Sequence, residues 1–259
     1  MILRRLATSI RKQDWFAVII ETSIVVFGVY LGVQLGNWNS TRQQRVEYEQ
    51  SLDRALMEVR GNLEAIEYQI EVVEERLPAI QAAIEVLRTC REDDEARAIL
   101  EASFAPLRTL NAFSTKTQAL DQLISNDRFL TFQSAEVREI LLSLSTGLNI
   151  LSERSRELNA NNSGLEFAIG HVVRPGELGN SGPQDVLETV LSGEIATPEL
   201  VRSWELIVPM SEACRDEDFL QLFFTWEDGA YFHYVMGNTA LMGMTAALAE
   251  LEGESEGAS

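Results

Sequence analysis

The chain is poor in the residues that build most recognisable sites. It has two Cys and two His in 259 residues. Two Cys exclude a disulfide-dense mini-fold and a Cys-rich zinc module. His171 and His233 stand far apart in sequence and leave little for a His-built metal centre. Basic residues are scarce as well: 21 Lys+Arg face 40 Asp+Glu, a formal net charge of -19. Such a chain is ill suited to nucleic acid, whose phosphates must be neutralised. There is no G-x-S-x-G, no H-E-x-x-H, no C-x-x-C, and no glycine-rich phosphate loop. The acidic run Arg91-Glu92-Asp93-Asp94-Glu95 lacks the D-x-D-x-D-G spacing of a calcium loop and reads as a charged turn or helix start. We therefore expect no catalytic residue, no cofactor and no metal ligand, and a protein that is not an enzyme. Convincing strand alternation is also missing, which points to an all-α fold.

Apolar material is ample. Hydrophobic residues make up 46% of the chain, enough for a core and incompatible with wholesale disorder. The largest block runs from Trp15 to Leu35 with Glu21 as its one ionisable group. At ~1.5 Å per residue it covers the ~30 Å hydrocarbon layer of a bilayer. Trp15 and Trp38 stand at its ends, where amphipathic rings favour the headgroup level. The run exceeds a usual signal-peptide core, and no small-residue cleavage site follows it, so the reading is an uncleaved anchor. Arg4, Arg5, Arg11 and Lys12 precede the span, and Arg42 and Arg45 follow it. This bias predicts a cytoplasmic N-terminus and a large C-terminal part outside. Of the 21 basic residues 19 are Arg, a bacterial-looking usage that makes "outside" the periplasm and the membrane the inner one.

Gly28, Gly32 and Gly36 recur every four residues, a small-xxx-small pattern that lets two membrane helices approach closely. Glu21 lies about two turns before Gly28 and so shares that face. An acid facing lipid costs roughly 2.5–3.5 kcal/mol on insertion scales, so Glu21 is expected to face protein, to be protonated, or both. The pattern predicts a helix–helix interface of Glu21, Gly28, Gly32 and Gly36, most simply in a homodimer. The alternative is that the glycines pair with nothing. Glu21 has three candidate roles: fixing helix pairing, contacting a second membrane protein, or carrying protons.

Beyond the span the sequence divides into a stem over 38–90, a helical domain over 91–250 and a disordered acidic tail over 251–259. The stem's apolar positions run from Leu52 through Leu56, Val59, Leu63 and on to Leu87 at alternating spacings of four and three. Such a heptad suits either an intermolecular coiled coil continuing the membrane dimer or an antiparallel hairpin within one chain. Pro78 predicts a kink or break. Further helices are expected up to about Leu110, over Thr115–Ser125, from a Ser134 cap to about Asn159, over Leu165–Val173, and from Pro183 and Pro198. Arg174 to Pro183 reads as a loop. Ala230–Leu251 is apolar enough to raise a second span, but His233 and Asn238 favour a packed core helix with Met236, Met242 and Met244 as filler. Cys90 and Cys214 either form one disulfide in an oxidising compartment or remain two buried thiols.

Glu21, Val25-Val26-Phe27-Gly28 and Gln34-Leu35-Gly36-Asn37-Trp38-Asn39 together resemble an uncharacterised bacterial family of single-span membrane proteins, a domain of unknown function. Leu120–Ser125 and Val137–Leu141 are similar to that family's helix–turn–helix, although Asn126-Asp127 stands where the family often has Gly. The resemblance implies topology and fold and supplies no activity. Single-span subunits of ion-driven stators also carry one intramembrane acid, but usually add a wall-binding domain that is not visible here.

The expectation is thus an all-α protein: one N-terminal transmembrane helix continuing into a periplasmic helical bundle. It would act as a homo-oligomeric interaction or sensing module whose contacts are lipid, a second copy and no nucleic acid. The alternative is a subunit of a larger membrane complex that docks through Glu21, in proton-coupled work.

Overall fold

The computed structural model describes residues 15–107, 112–163, 169–178 and 202–257. The basic segment 1–14, the side chain of Trp15 and the helix starts at Pro183 and Pro198 lie outside these.

One helix organises the rest. Helix α1 runs without interruption over Trp15–Thr89, 75 residues, or about 110 Å of helix. From Ile19 to Trp38 it is exposed on all sides: Ile20 is 41% accessible and Phe27 65%. From Tyr48 onward it is buried along one side. The heptad positions Leu56, Val59, Ile66, Ile70, Val73, Ile80 and Leu87 all lie in the core. That seam is filled by the chain's own elements, so the intramolecular alternative holds on both sides of Pro78. No stretch from Leu52 to Leu87 is left for an intermolecular coiled coil.

The expected break near Pro78 does not occur. Proline removes the donor that would meet the carbonyl of Glu74. Both Glu74 and Pro78 are exposed, so water can meet that carbonyl. On the opposite side Val73, Ile80 and Ala83 are buried and hold the helix to the core.

Short elements pack along α1. Helix α2 (Asp94–Ala102) is capped by Asp93, whose carboxylate accepts from the Ala96 N–H at 2.9 Å. The charged run Arg91–Glu95 is thus a turn and helix start, as read. Helix α3 (Phe104–Leu107) follows. Helix α4 (Gln118–Ser125) has no cap of its own. Its first N–H groups are met from α1, where Glu58 accepts from Ala119 at 3.0 Å and Leu120 at 3.2 Å. A carboxylate there also matches the positive end of the helix dipole. Asn62, 2% accessible, exchanges two bonds with the Lys116 backbone at 2.7 and 2.8 Å. After a short 3-10 turn (Asp127–Phe129), Ser134 caps α5 (Ala135–Ser163) by accepting from Val137 N–H at 3.1 Å.

Two expectations fail beyond α5. Val173, expected at the end of a helix, and the loop from Arg174 form strand β1 (Val173–Leu178), paired antiparallel with β2 (Arg202–Leu206). The pairing partner lies across about 24 residues of sequence, so local patterning gives no sign of it. Helix α6 (Met210–Ala213) leads into α7 (Glu217–Gly257), which runs antiparallel to α1. Gln81 bonds Glu227 and Tyr231 at one end of α7, and Arg60 pairs with Glu252 at the other. The disordered tail from Leu251 is therefore not found as far as Gly257. Leu251 is 2% accessible, and its packing carries the helix on.

The core has two parts. One joins the ends of α1 and α2 to the β-ribbon and to Phe219, Phe223 and Trp226. The other joins the middle of α1 to α4, α5 and the last turns of α7. At Gly237 of α7 the second part packs closely: an added Cβ would fall 2.9 Å from Ile70 and 3.0 Å from Phe113. A disulfide between Cys90 and Cys214, Cα atoms 5.5 Å apart, ties the end of α1 to the start of the α6–α7 unit. Cys90 sits at φ 48 just past α1, the left-handed position that ends many helices.

Two substitutions separate these terms. Gly237→Ala is expected to cost about 1–3 kcal/mol through overpacking. Gly61→Ala, with nothing within 4 Å, is expected to gain up to about 1 kcal/mol from helix propensity. Denaturant titration of the purified chain followed by circular dichroism reads both; equal effects would remove the close-approach account. Replacing both Cys by Ser, which opens a bridge across 124 residues, is expected to lower stability by about 4–5 kcal/mol on the chain-entropy account. Reductant should do the same to the wild type and nothing to the double variant.

Candidate functional site

The residues expected at a helix interface lie on the exposed third of α1. Glu21, Gly28, Gly32 and Gly36 fall within about 80° of arc at 100° per residue. A Cβ on any of the three glycines would meet nothing within 4 Å. Among the described residues, this face touches no part of its own chain. Trp38, 63% accessible, closes the apolar stretch, with the Arg42 guanidinium 6.0 Å from its ring centre. Helix α1 is the one helix among the described residues that is long and apolar enough to cross a membrane. Its apolar window is 0% buried, unlike a core helix. The second candidate, Ala230–Leu251, belongs to α7 and is packed: Ala230, Met244 and Leu248 are buried. Met236 is half-buried there, but Met242 is 76% accessible and is not core filler.

The two histidines serve the architecture. His233 is 1% accessible, and its Nε2 lies 2.8 Å from the Ser155 hydroxyl. That hydroxyl also accepts from the Phe113 N–H at 2.7 Å. The Phe113 ring stands edge-on to the imidazole at 5.1 Å. A Ser–His pair invites a catalytic reading, but Ser155 is 0% accessible and already engaged by a backbone donor. Its oxygen has no route to a substrate in this arrangement. Burial pushes the His233 pKa down to about 4. His171 lies 2.5 Å from Asp216, which also caps α7 by accepting from the Phe219 N–H at 2.8 Å. Burial pushes the Asp216 carboxyl up, but the His171 and Phe219 hydrogen bonds outweigh it, and the net direction is down. Among the described residues no group of three or more His, Cys, Asp or Glu could hold a metal.

One feature was not anticipated from the sequence. Helices α5 and α7 leave between them an open apolar groove of about 1010 Å³. Leu144, Leu148 and Met244 form its floor, and Gly147, Gly243 and Ala246 its walls. Glu136, Glu139 and Glu250 mark one end. The signal in the sequence was the small residues Ala240, Gly243 and Ala247 at helical spacing, which core packing produces equally well.

No family model, curated protein or solved structure matches this chain.

The buried imidazole makes a pH prediction. His233 binds its proton in the unfolded chain near pH 6.5 but in the folded chain only near pH 4. Its contribution is therefore complete above pH 6.5 and lost as pH falls towards 4. One pKa unit is about 1.4 kcal/mol, so the loss approaches about 3 kcal/mol. The stability difference between wild type and His233→Gln should shrink by that amount from pH 7 to pH 4. A difference independent of pH would show that the imidazole is not held neutral.

Proposed function

We propose that this protein is a single-pass, membrane-anchored interaction or sensing module, homodimeric through the Glu21–Gly28–Gly32–Gly36 face. The observation that carries this is the contrast within α1. Its first third exposes apolar side chains on every side, with Val25, Phe27 and Leu35 each 64–65% accessible. The same helix runs unbroken into a closed, packed domain. Apolar surface of that extent needs cover, and a bilayer supplies it on all sides except where a second helix fits. The resemblance of Glu21–Asn39 to uncharacterised single-span bacterial proteins agrees with this reading.

The proposed orientation has the N-terminus in the cytoplasm and the domain in the periplasm. Four basic residues precede the span and two follow closely. The Cys90–Cys214 bond supports the same side, because disulfides persist in oxidising compartments. The acidic surface agrees as well: 38 of the 40 acids lie past Asn39.

A second reading rests on Glu21 alone. It is the one ionisable group in the span, and a larger complex could receive it in partner helices for proton-coupled work.

Gly28→Ile with Gly32→Ile is expected to bring self-association in a membrane reporter down to that of a monomeric control. The fold is not at stake, since a Cβ at either glycine meets nothing within 4 Å among the described residues. An unchanged signal removes the dimer. Glu21→Gln separates the two readings: a module keeps its function, whereas a proton-coupled subunit loses function with association intact. Alkaline phosphatase fused after Ser259 should be active if the domain is periplasmic, and its inactivity would reverse the orientation.

A further inference from the structure

The α5–α7 groove is an apolar surface that the described residues leave open. Its α5 side presents Glu136, Ile140, Leu144, Gly147 and Leu151, and its α7 side runs from Met236 to Gly253. These spans correspond to about 22–26 Å of helix, or four to five turns. The shape argues against a small molecule. Such sites are enclosed and carry a few convergent polar groups, whereas this trough is half open to solvent, with only Ser143 and Thr239 as polar lining away from its acidic end. Gly147, Gly243 and Ala246 leave room for a third helix at ordinary helix-packing distance, about 8–10 Å between axes.

Charge selects the occupant. Glu136, Glu139 and Glu250 are exposed and make no hydrogen bond or ion pair among the described residues. No Lys or Arg lines the groove. The nearest basic residue in sequence, Arg138, does not line the groove and donates to Gln133 at 3.4 Å. Because α5 and α7 are antiparallel, all three carboxylates gather at one end. A second copy is disfavoured there: two chains anchored side by side in one membrane would bring their acidic ends together. Lipid is disfavoured too. The acidic end lies between the level of Tyr48, on which Phe132 stacks, and that of Arg60, which pairs with Glu252; these stand about 15 and 33 Å of helix beyond Trp38.

We propose that this groove docks an amphipathic helix of a partner protein, apolar on one face and basic at the end that meets Glu136, Glu139 and Glu250. This deepens the interaction-module reading and rests on it for the side of the membrane on which the partner is found. Charge complementarity of this kind sets orientation and encounter rate, and apolar contact in the trough holds the complex.

The test uses the full chain in nanodiscs and two labelled helical peptides of about 16 residues, a length set by the groove. Both share a Leu/Ala face; one carries Lys off that face and the other Glu. The Lys peptide is expected to bind at least tenfold tighter, with the preference fading in high salt. Glu136→Lys, Glu139→Lys and Glu250→Lys together should reverse the preference. Gly243→Leu, at a position with nothing within 4 Å, should weaken both peptides by filling the trough. A photo-crosslinking residue at Ala246 then reports the occupant. An adduct with the Lys peptide supports the proposal. Equal binding of the two peptides, or an adduct with a second copy, with nanodisc lipid or with nothing, overturns it. Self-association through Gly28 and Gly32 is measured on the same samples. Its loss with peptide binding intact would sink the membrane dimer and leave the groove standing.

Discussion

Everything in this structure leans on the packing of α7 against α1. Antiparallel helices of this length bury a continuous seam, and here the seam is drawn tight where Gly237 lets Ile70 and Phe113 come within van der Waals contact. The buried Ser155–His233 bond links α5 to α7 close by. Because α7 supports α1 past Pro78, the helix does not break there. Because α7 returns to the level of Arg60, its last turns are folded rather than frayed.

That packing also gives the exposed third of α1 its significance. A helix that passed into a flexible joint after Trp38 would tether the domain without orienting it. Instead the same helix enters the core, with Tyr48 packed against Phe129 and Phe132 only ten residues later. Rotation or tilt of the first third must then be felt by the bundle, because cores are close-packed and not continuously deformable. The bond from Cys90 to Cys214 closes the far end of the unit.

Much of this was legible from local sequence. The apolar stretch long enough to span a membrane, its glycine spacing and its flanking tryptophans are properties of consecutive residues. So are the Ser134 cap, the charged start of α2 and the turn at Asn126. The seam positions from Leu56 to Leu87 were legible as a heptad, but a heptad states only that one side is apolar. It does not state what covers that side, and the cover proved to be the chain's own helices. The β-ribbon was illegible for a related reason: Val173 pairs with Leu206 across a long connection. Glu58 and Asn62 look like ordinary polar residues of a stem, and only the folded chain brings the start of α4 to them.

The sequence by itself determined the helical class, the apolar segment and its face, and the uneven placement of charge, since each depends on periodicity and composition within one element. Tertiary structure alone decided that α1 continues through Pro78, that the chain closes its own heptad, that Cys90 meets Cys214, and that α5 and α7 leave an acidic-ended trough open. Those outcomes depend on which surfaces meet at long sequence separation. Close packing between distant segments, not the preference of any single stretch, selects among the partners that a periodic pattern allows.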